Sequence, residues 1–198
     1  MGIFLRIKNR FRYELSRRVK PVMITGFKTC DGKFFNNVRW SSTTHFESIK
    51  NLKLSNDVFI GHYNYFEASN GITIGKGCQI TNFISFTTHS SHISIRLYGK
   101  EYDNCPDPVG YVKGSIYIGE YSFIGPHSVI MPGSKIGKGS IVSAFSYVKG
   151  EFPEFSVIAG NPAEVVGDTR SLDKKYLDEN PELMNFYSAW AMNSEKHE

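Results

Sequence analysis

Residues 118–153 read IGEYSF IGPHSV IMPGSK IGKGSI VSAFSY VKGEFP, and in these 36 residues Ile118, Ile124, Ile130, Ile136, Val142 and Val148 recur every six positions. Neither the 3.6-residue period of a helix nor the alternation of a strand produces a six. A triangular solenoid does. Each hexad supplies one short strand and one turn, with the aliphatic residue pointing into the prism and the small residue in fifth place also pointing inward. Glycine, which follows the aliphatic residue in three frames, permits the corner conformation. Three hexads close one coil, so this run predicts two complete coils. Two earlier runs keep the same step, Ile74, Ile80 and Phe86, and Leu54, Ile60 and Phe66. The three runs are out of phase, which implies insertions between them. Residues 21–50 are rich in β-branched and aromatic residues without clear hexads and predict strands of a first, irregular coil.

The rest of the chain is consistent with one soluble domain carrying terminal appendages. It has 198 residues, 40% hydrophobic and 21% charged, a globular composition. No stretch is apolar enough to span a bilayer, and the charged amino terminus does not fit a signal peptide, so a cytoplasmic protein is expected. Cys30, Cys78 and Cys105 are odd in number and widely spaced, and read as free thiols with no zinc ribbon. The net charge of +4 is unevenly placed: Arg6, Lys8, Arg10, Arg12, Arg17, Arg18 and Lys20 face Glu14 alone, a local +6, leaving the remainder at −2. With no basic face on the body and no recognisable motif, nucleic acid is excluded as a partner. Phe4, Ile7, Phe11, Leu15 and Val19 follow helical spacing, so residues 1–20 form a basic amphipathic helix. Such a helix either packs its stripe on the domain or a sister subunit, or lies peripherally on an anionic membrane, here the inner face. Residues 21–170 form the solenoid domain and 171–198 a helical extension. In that extension Asn180, Pro181 and Glu182 start a helix striped by Leu183, Phe186, Tyr187, Trp190 and Ala191. A short solenoid exposes three flat faces, and a ring of three is the simplest closed way to cover one, so a homotrimer is expected.

Between Phe86 and Ile118 the period fails, leaving a loop over residues 87–117 that holds His89, His92, Arg96, Pro106 and Pro108. A long irregular insertion on a regular scaffold is a common place for function. His89 follows directly on a regular hexad, at a rigid edge.

From Leu54 to Arg170 the chain resembles the hexapeptide-repeat acyltransferases, which are left-handed parallel β-helices. Within them it is similar to the acetyl-CoA-dependent O-acetyltransferases of sugars, antibiotics and surface polysaccharides. The resemblance rests on the hexads, on the closing AGNPA at Ala159–Ala163, and on Thr88-His89 followed seven residues later by Arg96. It implies an all-β solenoid with an extended loop and terminal helices, acetyl-CoA as acyl donor, no metal, and His89 as general base, with His92 as the alternative. Histidine suits the task because its ordinary pKa of about 6.5 allows it to take a hydroxyl proton, an effect worth roughly 10² to 10⁴ in rate. Arg96 would orient the loop or bind an acceptor oxygen, and Asn64 resembles in position an asparagine used near the acceptor. Ser143 and Ala144 occupy the coil where the family contacts pantetheine, and Lys149 and Arg170 would meet the phosphates. The chain departs from the maltose and galactoside type at Ser90, where those members have proline, and at Phe123, where tryptophan is common. Glu164 and Gly167 also replace cations that commonly follow the AGNPA segment.

The expected reaction is acetyl transfer to a sugar hydroxyl in a surface polysaccharide or its precursor. The alternatives are an antibiotic or small free sugar as acceptor. From another class comes a zinc protein like the γ-type carbonic anhydrases, drawing on His62, His89, His92 and His127. Outside that last reading, His62 and His127 are expected at surface or intersubunit positions.

Overall fold

The computed structural model describes residues 7, 8, 10, 20–30 and 32–192. The amphipathic helix expected over residues 1–20 lies largely outside the described residues, as do positions 193–198 of the carboxy-terminal extension. The prism is present as three sheets whose inner strands run parallel. The first face holds β1 (Met23–Lys28), β2 (Phe34–Ser41), β5 (Phe59–Ile60), β8 (Gln79–Ile80), β13 (Phe123–Ile124), β16 (Ile141–Val142), β19 (Ser156–Gly160) and β20 (Ala163–Asp168). The second holds β3 (His45–Glu47), β6 (Tyr65–Glu67), β9 (Ser85–Thr87), β14 (Val129–Ile130) and β17 (Tyr147–Val148). The third holds β4 (Leu52–Leu54), β7 (Ile72–Ile74), β12 (Ile116–Ile118), β15 (Lys135–Ile136) and β18 (Glu151–Phe152).

The hexad residues stack in register into three columns that fill the prism. On the first face these are Ile60, Ile80, Ile124, Val142 and Ile158. On the second, Phe66, Phe86, Ile130 and Val148 follow one another, the two rings stacked at 4.5 Å. On the third, Leu54, Ile74, Ile118 and Ile136 lead to Phe152. All but Leu54 and Phe152 are fully buried, each worth about 1.5–3 kcal/mol of transfer free energy. The fifth-place serines Ser122, Ser128, Ser134, Ser140 and Ser146 are buried as expected. Their hydroxyls donate to corner carbonyls, Ser122 to Gly137 at 3.1 Å and Ser134 to Met131 at 2.7 Å among them, so the polar groups cost little to bury.

The glycines play a different part from the one expected. Gly119 has no left-handed backbone; instead a methyl group added there would lie 2.4 Å from the Lys138 amide nitrogen of the next coil. Glycine is required by the close approach of successive coils. The left-handed corner falls two residues later, at Tyr121, His127, Gly133, Gly139 and Phe145.

The phase shifts between the hexad runs have one location. Coils are closed by 20 residues from Ile60 to Ile80, 18 from Ile118 to Ile136 and 16 from Ile136 to Phe152, and the differences fall where the second face turns into the third. That corner holds a 3-10 turn at Ile49–Asn51 in the first coil, residues 68–71 in the second, and the long loop in the third. The last hexad is shortened there, so Phe152 follows Val148 into the core.

Antiparallel strands close the first face at both ends, β1 on β2 and β20 on β19. The chain then enters α2 (Thr169–Glu179) and, after a 3-10 turn at Pro181–Leu183, α3 (Met184–Ala191); the loop's α1 spans Ser94–Tyr98. Asp168 caps α2 by accepting from the Arg170 amide at 2.9 Å. Trp190 rests on Tyr121 and Phe155, with ring centroids 4.7 and 5.9 Å away, whereas Phe186 of the expected stripe stays exposed. No helix among the described residues is long and apolar enough to cross a membrane.

Candidate active site

The chain leaves the prism at Thr88, the residue after β9. It comes back beside its exit, because β10 (His89–Ser90) pairs antiparallel with β11 (Val112–Lys113), and the Gly114 amide donates to the Thr88 carbonyl at 3.0 Å. His89 thus sits at the neck of the loop, held from both sides.

Directly beneath it, one coil back, stands Glu67, the last residue of β6 and in register with Thr87. The glutamate side chain is 5% exposed, and its carboxylate is fully engaged. Oε1 accepts from the Ser69 amide at 2.8 Å, and Oε2 accepts from the Thr88 amide at 2.9 Å and the Thr88 hydroxyl at 2.8 Å. His89 Nδ1 completes the set, 2.9 Å from Oε2. Burial by itself would raise the pKa of Glu67, but the hydrogen bonds from Ser69 and Thr88 outweigh it and hold the carboxyl down to about 2. An ionised carboxylate can only accept, so the proton between the two groups belongs to Nδ1. In the neutral imidazole Nε2 then carries the lone pair, the state that a general base needs.

Around this pair, the Asn70 amide donates to the Thr88 hydroxyl at 3.0 Å, and its side-chain nitrogen donates to the Thr88 carbonyl at 3.2 Å. The Ser69 hydroxyl lies 3.2 Å from Nδ1. The Tyr111 ring, returning on the far side of the loop, stacks on the imidazole at 5.5 Å. Tyr65, on the same strand as Glu67, donates to Glu47 one coil further back, which stands in register with Glu67, and that bond is the main cause pushing the Tyr65 phenol up to about 12.

The other expected site residues are dispersed. His92 is exposed with Nδ1 2.8 Å from the Ser90 hydroxyl, and Arg96, on α1, donates to the His92 carbonyl one turn back. Asn64 is buried, with its amide donating to the Gly61 and Thr81 carbonyls at 3.0 and 2.7 Å and its oxygen accepting from the Ile84 amide at 2.8 Å. These bonds hold that corner closed, and the asparagine beside His89 is Asn70. Ser143 and Ala144 lie where the first face turns into the second, Lys149 on the same corner as His89 two coils on, and Arg170 at the start of α2. Arg170 is held by Asp168, with Nη2 2.5 Å from Oδ2, and lies 5.0 Å over the Phe155 ring. His62 bonds Ser41 at 2.6 Å, and His127 stacks between Phe83 and Phe145 at 4.8 and 4.9 Å, so neither approaches His89 in this chain. Among the described residues no group of three or more His, Cys, Asp or Glu is placed to hold a metal ion.

Sequence reading missed Glu67, Asn70 and Tyr111. The available signal was the coil length: a 20-residue coil puts Glu67 under Thr87, but that length shows only once the corner insertion is located.

Residues 115–150 match the family described as bacterial transferase hexapeptide (six repeats). A hexapeptide-repeat-containing acetyltransferase from Vibrio cholerae is 25% identical over 65% of this chain and 69% of its own, with a TM-score of 0.57. A structure of that acetyltransferase complexed with acetyl coenzyme A, from Vibrio cholerae O1 biovar eltor, is 26% identical over 63% of this chain and 64% of its own, at 0.56. The N-acyltransferase AntD from Bacillus cereus, in complex with dTDP and 3-hydroxybutyryl-CoA, shares the fold at 20% identity over 75% of this chain and 89% of its own, at 0.55. No curated protein matches in sequence. The repeats that fill the prism and the solved structures that share it agree on the fold: the body of the chain is a left-handed parallel β-helix of hexapeptide repeats, similar to that of the bacterial hexapeptide-repeat acetyltransferases.

Proposed function

We propose that this protein transfers acetyl from acetyl-CoA to a hydroxyl of a sugar in a surface polysaccharide or its precursor, with His89 as general base. The observation that carries the reading is the Glu67–His89 pair at 2.9 Å. A buried carboxylate that stays ionised fixes the imidazole tautomer and stabilises the imidazolium that forms when Nε2 takes the acceptor's proton. Acetyl-CoA supplies the acyl group as an activated thioester. The small residues Ser143 and Ala144, on an exposed corner, fit a pantetheine arm by leaving backbone accessible, and Lys149 is an exposed cation on the corner of His89. Arg170 fits less well because Asp168 already neutralises it.

Ser143 and Ala144 flank the second face on the edge opposite His89 and two coils on, and a second prism laid against that face would wall the groove between them. The outward columns favour such packing. On the first face Phe59, Phe123, Ile141 and Val157 face out beside Arg39 and Gln79, and on the second Tyr65, Val129 and Tyr147 beside His45 and Ser85, whereas the third presents Lys53, Lys135 and Glu151 with Thr73 and Tyr117. Contact between two unlike apolar faces is heterologous, and with the roughly three-fold angle between faces of a triangular prism it closes into a ring of three rather than an open filament.

The test is turnover of a panel of sugars with release of free CoA as readout. His89→Ala should lower kcat by about 10² to 10⁴ with little change in acetyl-CoA affinity, and His92→Ala should cost far less. An undiminished His89→Ala enzyme would refute the mechanism.

A further inference from the structure

Where the two carboxy-terminal helices meet the prism they leave a cavity of about 660 Å³, open to solvent. This size lies within the usual range of small-molecule sites, about 300–1,000 Å³. Five aromatic residues line it, Tyr121, Tyr176, Phe186, Tyr187 and Trp190, and among the described residues Asp173 is the one charged group in its wall. Tyr121 places the cavity at the corner between the third and first faces, whereas His89 leaves the corner between the second and third. The cavity is therefore separate from the Glu67–His89 pair.

Helical spacing gathers the wall. Residues three and four apart share a helix face, which brings Asp173, Tyr176 and Leu177 together on α2, and Phe186, Tyr187 and Trp190 on α3. The 3-10 turn at Pro181–Leu183 then sets the two groups around one space. Trp190 is held in place by the prism, with Tyr121 at 4.7 Å and Phe155 at 5.9 Å, and Tyr187 meets it edge-on at 5.3 Å. Tyr121 is seated in turn by Gly77, where a methyl group would lie 2.6 Å from its ring. Asp173 has no ion pair among the described residues, because the neighbouring cations are engaged elsewhere, Arg170 with Asp168 and Lys175 with Glu179. Burial pushes the Asp173 carboxyl up, and the Tyr187 hydroxyl beside it opposes that rise.

We infer that this cavity binds an organic cation carrying a quaternary ammonium group, independently of the acetyl-transfer reading. The chemistry of the wall decides the class. The face of an aromatic ring attracts a cation within about 6 Å of its centroid, and the carboxylate supplies the full opposite charge. An anion would meet only repulsion here. A neutral apolar ligand would cover Asp173 without giving it a partner, which costs free energy. A primary ammonium is strongly hydrated and brings three N–H donors to satisfy, against a wall made chiefly of rings and of Leu177 and Leu183. An alkylated nitrogen has no donors, and its methyl groups pack on the rings while the charge faces Asp173.

The experiment is saturation-transfer NMR on the full chain at constant ionic strength. The probes are choline, dihexanoylphosphatidylcholine kept below micelle formation, and 3,3-dimethylbutan-1-ol, the uncharged isostere of choline. Saturable transfer to the trimethylammonium methyls of either charged probe supports the site, and the tighter of the two identifies its source as a free cation or a lipid headgroup. The isostere should bind at least fivefold less tightly than choline. Tyr176→Leu and Phe186→Leu change side chains that are 63% and 74% exposed, so they spare the fold. Each of them, and Asp173→Asn, should weaken the charged probe at least threefold. The inference is refuted by any of three results. Neither charged probe gives saturable transfer; the isostere binds within fivefold of choline, which would make the cavity an apolar seat for a chain segment or a second copy; or the three variants keep the wild-type affinity.

Discussion

Replacing Glu67 with glutamine keeps the volume of the side chain and removes its charge, which makes it a measure of what the buried carboxylate contributes. The carboxyl is held down to about 2 from an ordinary 4.5, and the difference corresponds to about 3 kcal/mol of folding stability at neutral pH. Because the folded value lies below the unfolded one, that stability is complete above the unfolded pKa. It is lost as pH falls through the window from about 4.5 to about 2. Glutamine imitates the protonated acid, so the gap between wild type and Glu67→Gln in urea denaturation should be about 3 kcal/mol at pH 5 and should shrink by about 2 kcal/mol at pH 3. The same variant should lose about 10- to 100-fold in kcat, because its amide nitrogen can face Nδ1, move the imidazole proton to Nε2 and leave no base. A stability gap that stays constant from pH 5 to pH 3 would refute the ionised state of Glu67. Unchanged turnover would refute its role in orienting His89.

Asn64→Ala removes three bonds from a closed corner and should cost about 2–4 kcal/mol in calorimetric stability while leaving the acceptor KM unchanged. Gly139 and Gly133 are both left-handed, but a methyl group at Gly139 would meet the Phe155 ring at 2.7 Å and Trp190 at 3.1 Å, whereas at Gly133 nothing lies within 4 Å. Gly139→Ala should therefore destabilise by about 2–4 kcal/mol and alter tryptophan emission, and Gly133→Ala by only about 1 kcal/mol. Sedimentation at micromolar concentration should give three times the 22.4 kDa chain mass, and Phe123→Asp on the first face should shift the population toward monomer. Deleting residues 1–19 should abolish binding to anionic vesicles at low salt; a full-length protein that ignores such vesicles would assign the segment to packing.

The hexads were legible in the sequence because a solenoid's inward positions are set locally: each strand and turn repeats the step, whatever its neighbours do. The break in the period marked the loop that holds His89 and His92, and the choice of His89 came from the resemblance of Thr88-His89 and its spacing to Arg96. The role of glycine was not legible, because the contact between Gly119 and Lys138 joins residues one coil apart and leaves no mark on the local backbone. Asn64 and Asn70 look equivalent in the chain, both polar residues in the coil before the histidine. They differ only in the corner they occupy, one folded into a closed turn and the other beside the loop's neck. Glu67 reaches His89 because extra residues at one corner lengthen the coil to 20 and bring Glu67 into register with Thr87. The sequence by itself determined the prism, its core columns and the histidine at its broken edge, all consequences of short-range periodicity. The partner that holds that histidine in one tautomer was decided only by the tertiary structure, because pairing between coils depends on the summed length of every turn between them.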